Sequence, residues 1–167
     1  MSVAARIRRA TPDDAAGVAA IYAPIVLDSA ISFELEPPSA TEMGRRIHAT
    51  VETLPWLVCH EGDEPLGYAY ASTHRARAAY RWSVEVSVYV AGHQRGRGVG
   101  AGLYEALLAL LELQGFHRAL AGITLPNPAS VALHEHVGFT AVGVYREVGF
   151  KRGAWHDVGW WERPLAP

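Results

Sequence analysis

The feature that most constrains the fold is a strand, a glycine-rich turn and a helix in the middle of the chain. Residues 81–90 alternate between apolar and polar side chains, and this period of two predicts a strand. The turn 94–100 holds three glycines and two arginines. Leucines at helical spacing predict a helix over 99–114 with one buried face. A strand, turn and helix in this order predict a mixed α/β domain.

Other strands and helices are predicted on both sides of this unit. Alternation predicts strands at 5–9, 56–60, 65–72, 118–125, 139–145 and 155–163. Helices are predicted to begin at the capping residues Thr11, Ser39 and Asn127, and Gly138 ends the last of them. Glu61 to Glu64 reads as a hairpin turn. No repeat or linker divides the chain, so the prediction is one domain.

Composition excludes several classes of function. The 167 residues are half hydrophobic and carry a net charge of −2, so no basic field is expected for nucleic acid or an anionic membrane. Cys59 is the only cysteine; its apolar neighbours predict a buried, inert thiol and no cysteine metal site. With no leader-like start and no long apolar run, we expect a cytoplasmic protein.

The chain also lacks the sequence motifs of several common enzyme classes. It has no Gly-x-Ser-x-Gly, no phosphate-loop Gly-Lys-Ser/Thr and no His-Glu-x-x-His motif. His134 and His136 lie two residues apart on a predicted helix, where side chains point in different directions, so no metal site is expected. Lys151 is the only lysine, and its sequence neighbours do not indicate a buried amine of lowered pKa.

The turn 94–100 has the chemistry of an anion site. Gly98 and Gly100 can adopt positive φ angles, and the helix start offers free N–H groups to phosphate oxygens. Arg95 and Arg97 can add charge-assisted contacts. A plain connecting turn is the alternative. A dinucleotide-binding turn is disfavoured because no acidic residue ends the next strand, 118–125.

Two segments together resemble a known superfamily. Val88-Tyr89-Val90 followed by Arg95-x-x-Gly98-x-Gly100 resembles the acetyl-CoA signature of the GNAT superfamily of N-acetyltransferases. The run 127–139 resembles the second half of the same site. Three further segments, 75–85, 31–34 and 155–159, are similar to the phosphinothricin and methionine sulfoximine/sulfone acetyltransferase group. The resemblance spans nearly the whole chain.

This resemblance implies a fold and a co-substrate. The expected fold is one domain over residues 1–167, with a mixed, mostly antiparallel sheet and helices on both faces. Acetyl-CoA is the expected co-substrate, with no metal. The implied cofactor-binding residues are Val88, Tyr89, Val90, Arg95, Gly96, Arg97, Gly98, Val99, Gly100, Ala101, Asn127 and Ser130.

The resemblance also implies catalytic and acceptor-binding residues. Glu85 is expected to act as general base, because direct transfer needs a neutral amine and a nearby carboxylate can take its proton. His134, where many relatives have tyrosine, is the second implied catalytic residue, in proton transfer or substrate contact. The implied substrate-binding residues are Phe33, Arg75, Ala76, Arg77, Glu85, Val86 and Ser87.

The expected acceptor is the α-amine of a small amino-acid analogue such as phosphinothricin, methionine sulfoximine or methionine sulfone. Two alternatives stay open: another amine, on a protein N-terminus, a polyamine or an antibiotic, and a CoA-binding module without turnover. Trp155, Trp160 and Trp161 offer more apolar surface than a closing strand usually needs, which predicts a homodimer.

Overall fold

The computed structural model describes residues 5–165, and its strands and helices follow the predicted order. The strands are β1 (Arg6–Arg9), β2 (Trp56–Glu61), β3 (Glu64–Thr73), β4 (Ser83–Val90), β5 (Arg118–Leu125), β6 (Thr140–Lys151) and β7 (Ala154–Pro164). The helices are α1 (Ala15–Asp28), α2 (Ala40–Val51), α3 (Val99–Leu113) and α4 (Pro128–His136).

All seven strands form one sheet, in the order β1-β2-β3-β4-β5-β7-β6. Every neighbouring pair is antiparallel except β4 and β5. The parallel pairing of β4 and β5 covers three residue pairs and ends at Glu85 opposite Leu120. The expectation of a mixed, mostly antiparallel sheet is therefore confirmed, and the sheet opens between β4 and β5.

Helices cover both faces of the sheet, as expected. On one face, Val84 and Val86 pack in a core with Leu103 and Leu107 of α3. On the other, the helices α1 and α2 pack on Trp56, Val58 and Tyr68, with Tyr89 at the edge of that core. Alternate residues of β4 therefore belong to different layers, which is the reason for its alternating sequence.

The predicted cap at Ser39 is present, whereas Thr11 makes no side-chain cap hydrogen bond. The Ser39 hydroxyl accepts a hydrogen bond from the Glu42 N–H at 3.2 Å, and α2 begins at the next residue. After Thr11 a 3-10 turn, Pro12–Asp14, precedes α1, which begins at Ala15. The Asp14 carboxylate accepts from the Thr11 N–H at 2.8 Å. Cys59 is buried, as predicted.

Two predicted strand limits are wrong. The strand β4 begins at Ser83, and Trp82, which was expected on the buried face, is 50% exposed. The strand β6 continues past Tyr145 because a bulge interrupts the pairing with β7 and then lets it resume. At the bulge Glu147 has a φ of 47°, and its N–H donates to the Asp157 carboxylate at 2.8 Å.

The expectation that Lys151 is an ordinary lysine is also wrong. Its side chain is buried, and its ammonium donates to the carbonyl oxygens of Val26 and Ser32, each at 2.7 Å. Burial lowers the pKa of Lys151. The cause is a long-range contact, because the tip of the β6–β7 hairpin folds against the α1–α2 loop. None of the helices described here is long and apolar enough to cross a membrane.

Candidate active site

A cavity of about 530 Å³ opens where β4 and β5 separate. Strand β4, the turn before α3 and the start of α4 line it. The predicted cofactor-binding residues that line this cavity are Val88, Tyr89, Val90, Arg95, Gly96, Gly98, Val99, Gly100, Ala101, Asn127 and Ser130. The structure thus brings together all but one of the residues assigned to the cofactor.

The exception is Arg97, which does not line the cavity. Its guanidinium donates to the side-chain oxygen of Gln94, and Gln94 is itself buried. Arg97 therefore braces the turn through Gln94. Arg95, by contrast, is exposed and makes no hydrogen bond with another described residue, so its side chain can face an anion.

Two glycines give the turn its shape, whereas a third glycine allows two helices to pack closely. Gly96 and Gly98 have φ angles of 75° and 81°, and a Cβ on either would meet no atom within 4 Å. Gly100 does not have the positive φ expected for it. It lies in α3, where a Cβ would come within 3.1 Å of the Leu133 side chain. Gly100 therefore lets α3 approach α4 closely.

The backbone around the cavity supplies donors that suit acetyl-CoA. The first hydrogen bond within α3 runs from Gly102 N–H to the Gly98 oxygen, so the N–H groups of residues 99–101 have no partner in the helix. Such a helix start favours phosphate oxygens. Beyond Glu85, β4 has no pairing with β5 among the described residues, and its open edge can pair with an extended chain such as pantetheine.

His134 lines a narrow cleft between β4 and β5, where it belongs to a hydrogen-bond network. It is buried, and its Nδ1 donates to the Ser130 carbonyl oxygen at 2.7 Å. Because that nitrogen carries the proton, Nε2 accepts from the Tyr104 hydroxyl at 2.9 Å. Burial lowers the pKa of His134 and raises the pKa of Tyr104 far above its ordinary value, so both groups stay neutral near neutral pH.

Tyr104 is a residue that sequence reasoning missed. It lies on the same face of α3 as the buried leucines, where periodicity indicates only a core position. Its hydroxyl reaches the cleft, since Tyr104 and His134 both line the narrow space between β4 and β5. The pairing of Tyr104 with His134 depends on how α3 packs against α4, which no local pattern reveals.

Glu85 is the last residue of β4 that pairs with β5, and it directly precedes Val86 and Ser87, which line the cleft. One oxygen, Oε1, is 2.8 Å from Nδ1 of His74, a residue that sequence reasoning did not assign. Glu85 and Ser87 point to the sheet face that carries α1 and α2. Val86 points to the other face, where its side chain is buried in the core, so only its backbone can contact an acceptor.

The remaining acceptor residues lie on two loops. Phe33, on the α1–α2 loop, packs on Gly149 so closely that a Cβ there would be 2.2 Å from its ring. Ile31 of the same loop lines both the cleft and the cofactor cavity. Arg75, Ala76 and Arg77 follow His74 directly and are exposed. No described residue forms an ion pair with Arg75 or Arg77, and the described residues hold no cluster of metal ligands.

Comparisons with known proteins identify the family of this chain. The family model described as Acetyltransferase (GNAT) domain matches residues 7–160. Phosphinothricin N-acetyltransferase of Streptomyces viridochromogenes is 42% identical over 157 residues, covering 94% of this chain and 86% of that protein. L-methionine sulfoximine/L-methionine sulfone acetyltransferase of Pseudomonas paraeruginosa is 34% identical over 167 residues, covering 99% of this chain and 97% of that protein.

A solved structure of similar fold contains the cofactor. The phosphinothricin acetyltransferase of Sinorhizobium meliloti, in complex with AcCoA, superposes with a TM-score of 0.92 at 36% identity, covering 97% of this chain and 89% of that one. The family match and these identities together define the class, an N-acetyltransferase. The chain belongs to the GNAT acetyltransferase family.

Proposed function

We propose that this enzyme transfers the acetyl group of acetyl-CoA to the α-amine of a small amino-acid analogue of the phosphinothricin or methionine sulfoximine type. The observation that carries the proposal is the position of Glu85, a carboxylate 33% exposed at the last paired residue of β4, directly before the residues that line the cleft. The two relatives described above, one named for each activity, match more than nine-tenths of the chain.

The residues of the cavity fit the bound cofactor. The amides at the start of α3, with Gly96, Gly98 and Arg95, are suited to the pyrophosphate, and the open edge of β4 and Asn127 to the pantetheine arm. Acetyl-CoA supplies the acetyl group as a thioester. Among this chain's own residues, Glu85 is assigned to take the proton of the ammonium, directly or through one water, so that a neutral amine attacks.

The acceptor is assigned to the face of β4 that carries Glu85 and Ser87. Arg75 and Arg77 have no ionic partner among the described residues, so one guanidinium is free to bind the substrate carboxylate in bidentate geometry. Phe33 is assigned to an apolar wall of the acceptor site. His134 is neutral: its Nδ1–H donates to the Ser130 carbonyl oxygen and its Nε2 accepts from the Tyr104 hydroxyl. Its expected role in proton transfer or substrate contact stays a prediction.

A panel assay tests the acceptor. Release of free CoA thiol is measured with phosphinothricin, methionine sulfoximine and methionine sulfone, and in parallel with a peptide N-terminus, a polyamine and an aminoglycoside. We expect turnover with the three amino-acid analogues. If those three are inert while another amine is acetylated, the acceptor assignment is wrong. Tight CoA binding without acetylation of any amine would instead support a non-catalytic module.

The homodimer also belongs to this proposal. Its support is an apolar surface on the β6–β7 hairpin, where Val142, Val148, Phe150 and Trp155 are more than half exposed. Of the three tryptophans expected to contribute, Trp161 is buried. Sedimentation at micromolar protein is expected to give twice the monomer mass of 18.1 kDa, and a single species at the monomer mass would refute the dimer. The cytoplasmic location, and the expectation of no nucleic-acid or membrane partner, stay predictions of the sequence.

A further inference from the structure

The Glu85 carboxylate is held by a side chain that lies outside every sequence motif of the site. In the β3–β4 pair Ser72 lies opposite Glu85, so His74, two residues further on, lies diagonally across from it on the same face. Nδ1 of His74 is 2.8 Å from Oε1 of Glu85. This is the distance of a charge-assisted hydrogen bond.

The chemistry of the pair fixes which atom donates. A carboxylate oxygen only accepts, so Nδ1 of His74 carries the proton in this contact. The other carboxylate oxygen, Oε2, accepts no hydrogen bond from any residue that the structure describes. The imidazole thus ties down one oxygen of Glu85 and leaves the second available to an acceptor amine or a bridging water.

The imidazole itself has little freedom to move. Its ring packs edge-on against the rings of Tyr80 and Trp160, with centroids 5.6 and 6.4 Å away. Tyr80 ends a short 3-10 turn, Ala78–Tyr80, and Trp160 belongs to β7. Two separate elements therefore fix the ring whose Nδ1 holds Glu85.

We propose that His74 is a positioning residue for the general base, which orients Glu85 so that Oε2 faces the acceptor amine. The proposal rests on the proposed function, in which Glu85 takes the proton. The exposure of the two side chains favours this positioning role over a relay of the proton from Glu85 to His74. The Glu85 side chain is 33% exposed and that of His74 only 12%, so a proton on Glu85 reaches solvent more readily from the carboxylate than through the imidazole.

Two substitutions separate orientation from proton transfer. His74→Asn keeps an N–H donor near the position of Nδ1 but cannot titrate, whereas His74→Phe keeps an aromatic ring and removes the donor. We expect His74→Phe to lower kcat roughly 10- to 100-fold, the scale of a misoriented catalytic group, with KM for acetyl-CoA unchanged. His74→Asn should retain kcat within about threefold of wild type, because it keeps the donor. An equal loss in both variants, or no loss in either, overturns the proposal.

A double-mutant cycle with Glu85→Gln tests whether His74 acts through Glu85. If it does, His74→Phe should lower kcat less than about twofold further in the Glu85→Gln background. Losses that multiply would show a separate role for His74 and refute the proposal. A different result would contradict the proposed function, namely full turnover in the Glu85→Gln single variant.

A matched histidine controls for the substitution itself. Nε2 of His48, on α2, lies 3.8 Å from Oε1 of Glu52, which directly follows the helix, and both side chains are exposed. His48→Phe makes the same chemical change in a second histidine–glutamate pair away from the cleft, and we expect it to leave kcat unchanged. Melting temperatures within a few degrees of wild type for all variants establish that lost turnover is not lost fold.

Discussion

Nζ of Lys151 lies 2.7 Å from the carbonyl oxygen of Ser32, in the loop between α1 and α2. A second bond of equal length joins Nζ to the oxygen of Val26, near the end of α1. Ser32 stands between Ile31, which lines the cleft, and Phe33, which is assigned to the acceptor. The hairpin tip therefore fixes the loop that borders the site.

Replacing Lys151 by methionine should loosen this loop. Methionine fills most of the space but donates no hydrogen bond, so two carbonyl oxygens lose their partner. Because Phe33 adjoins one of them, we expect KM for the acceptor to rise roughly 10-fold. Steady-state kinetics with varied acceptor measure the change.

The control for Lys151→Met is Arg118→Met. Arg118 pairs with Glu162 on the sheet, at 3.2 Å, and touches no part of the α1–α2 loop. This variant should keep the acceptor KM of wild type. An unchanged KM in Lys151→Met as well would show that the loop holds its position without the lysine.

Lys151 also allows a direct test of its burial, since it is the only lysine. Amine acetylation by acetic anhydride, read by mass spectrometry of the peptide that contains Lys151, should be at least about 10-fold slower in the folded protein than in urea. Two effects protect the amine, namely its burial and its bonds to Val26 and Ser32. Equal rates in both states would contradict the buried position.

Lys151 also marks a limit of sequence analysis. Periodicity predicted every strand and helix of the described chain, because alternation and capping are local. The bond from Lys151 to Val26 joins residues 125 positions apart, and no neighbouring residue indicates it. The same holds for His74, whose contact with Glu85 depends on the register of β3 against β4. The sequence predicted the residue types near the cleft, but not these long-range partners.

Gly98→Val tests the turn that is assigned to the pyrophosphate. At a φ of 81° a β-branched residue is strained by about 1–2 kcal/mol, and its side chain would project beside the amides of α3. We expect the affinity for CoA to fall at least about 100-fold, because backbone approach to the phosphates is blocked. Isothermal titration calorimetry with CoA measures the affinity.

Gly115→Val is the matched control for Gly98→Val. Gly115 has a φ of 82°, and a Cβ there also meets no atom within 4 Å, but it follows the other end of α3. The two variants therefore carry the same backbone strain. Weaker CoA binding in Gly98→Val alone assigns the loss to the site, whereas equal losses would assign it to strain and leave the turn a connector.

His134 predicts how stability depends on pH. Burial lowers its pKa in the folded protein from an ordinary value of 6.5, so below that pH the unfolded chain binds a proton that the folded chain does not. The free energy of unfolding should therefore fall as pH decreases through 6.5, by at most about 1.4 kcal/mol per pH unit for this group, and level off below the folded pKa. The comparison is wild type against His134→Gln, by urea unfolding at pH 7 and 5.

The quantity to compare is the loss of unfolding free energy between pH 7 and pH 5 in each protein, because the substitution also changes stability at pH 7. Glutamine cannot titrate, so His134→Gln should lose less stability than wild type between the two pH values. The other histidines are common to both proteins and cancel in the difference. Equal losses in the two proteins would mean that folding does not lower the pKa of His134.

Glu85→Gln tests the base itself. Glutamine keeps the size of the side chain and can still bond to His74, but it cannot accept the ammonium proton. Turnover at neutral pH should fall roughly 10²–10⁴-fold, while CoA affinity stays unchanged because the cofactor cavity is formed by other residues. Turnover within twofold of wild type would remove Glu85 from the mechanism.

The loss in Glu85→Gln should shrink as pH rises, since more of the amine then arrives without its proton. A misfolded variant would stay inactive at every pH. A kcat profile from pH 7 to 10 for both proteins therefore separates a chemical role of Glu85 from a structural one.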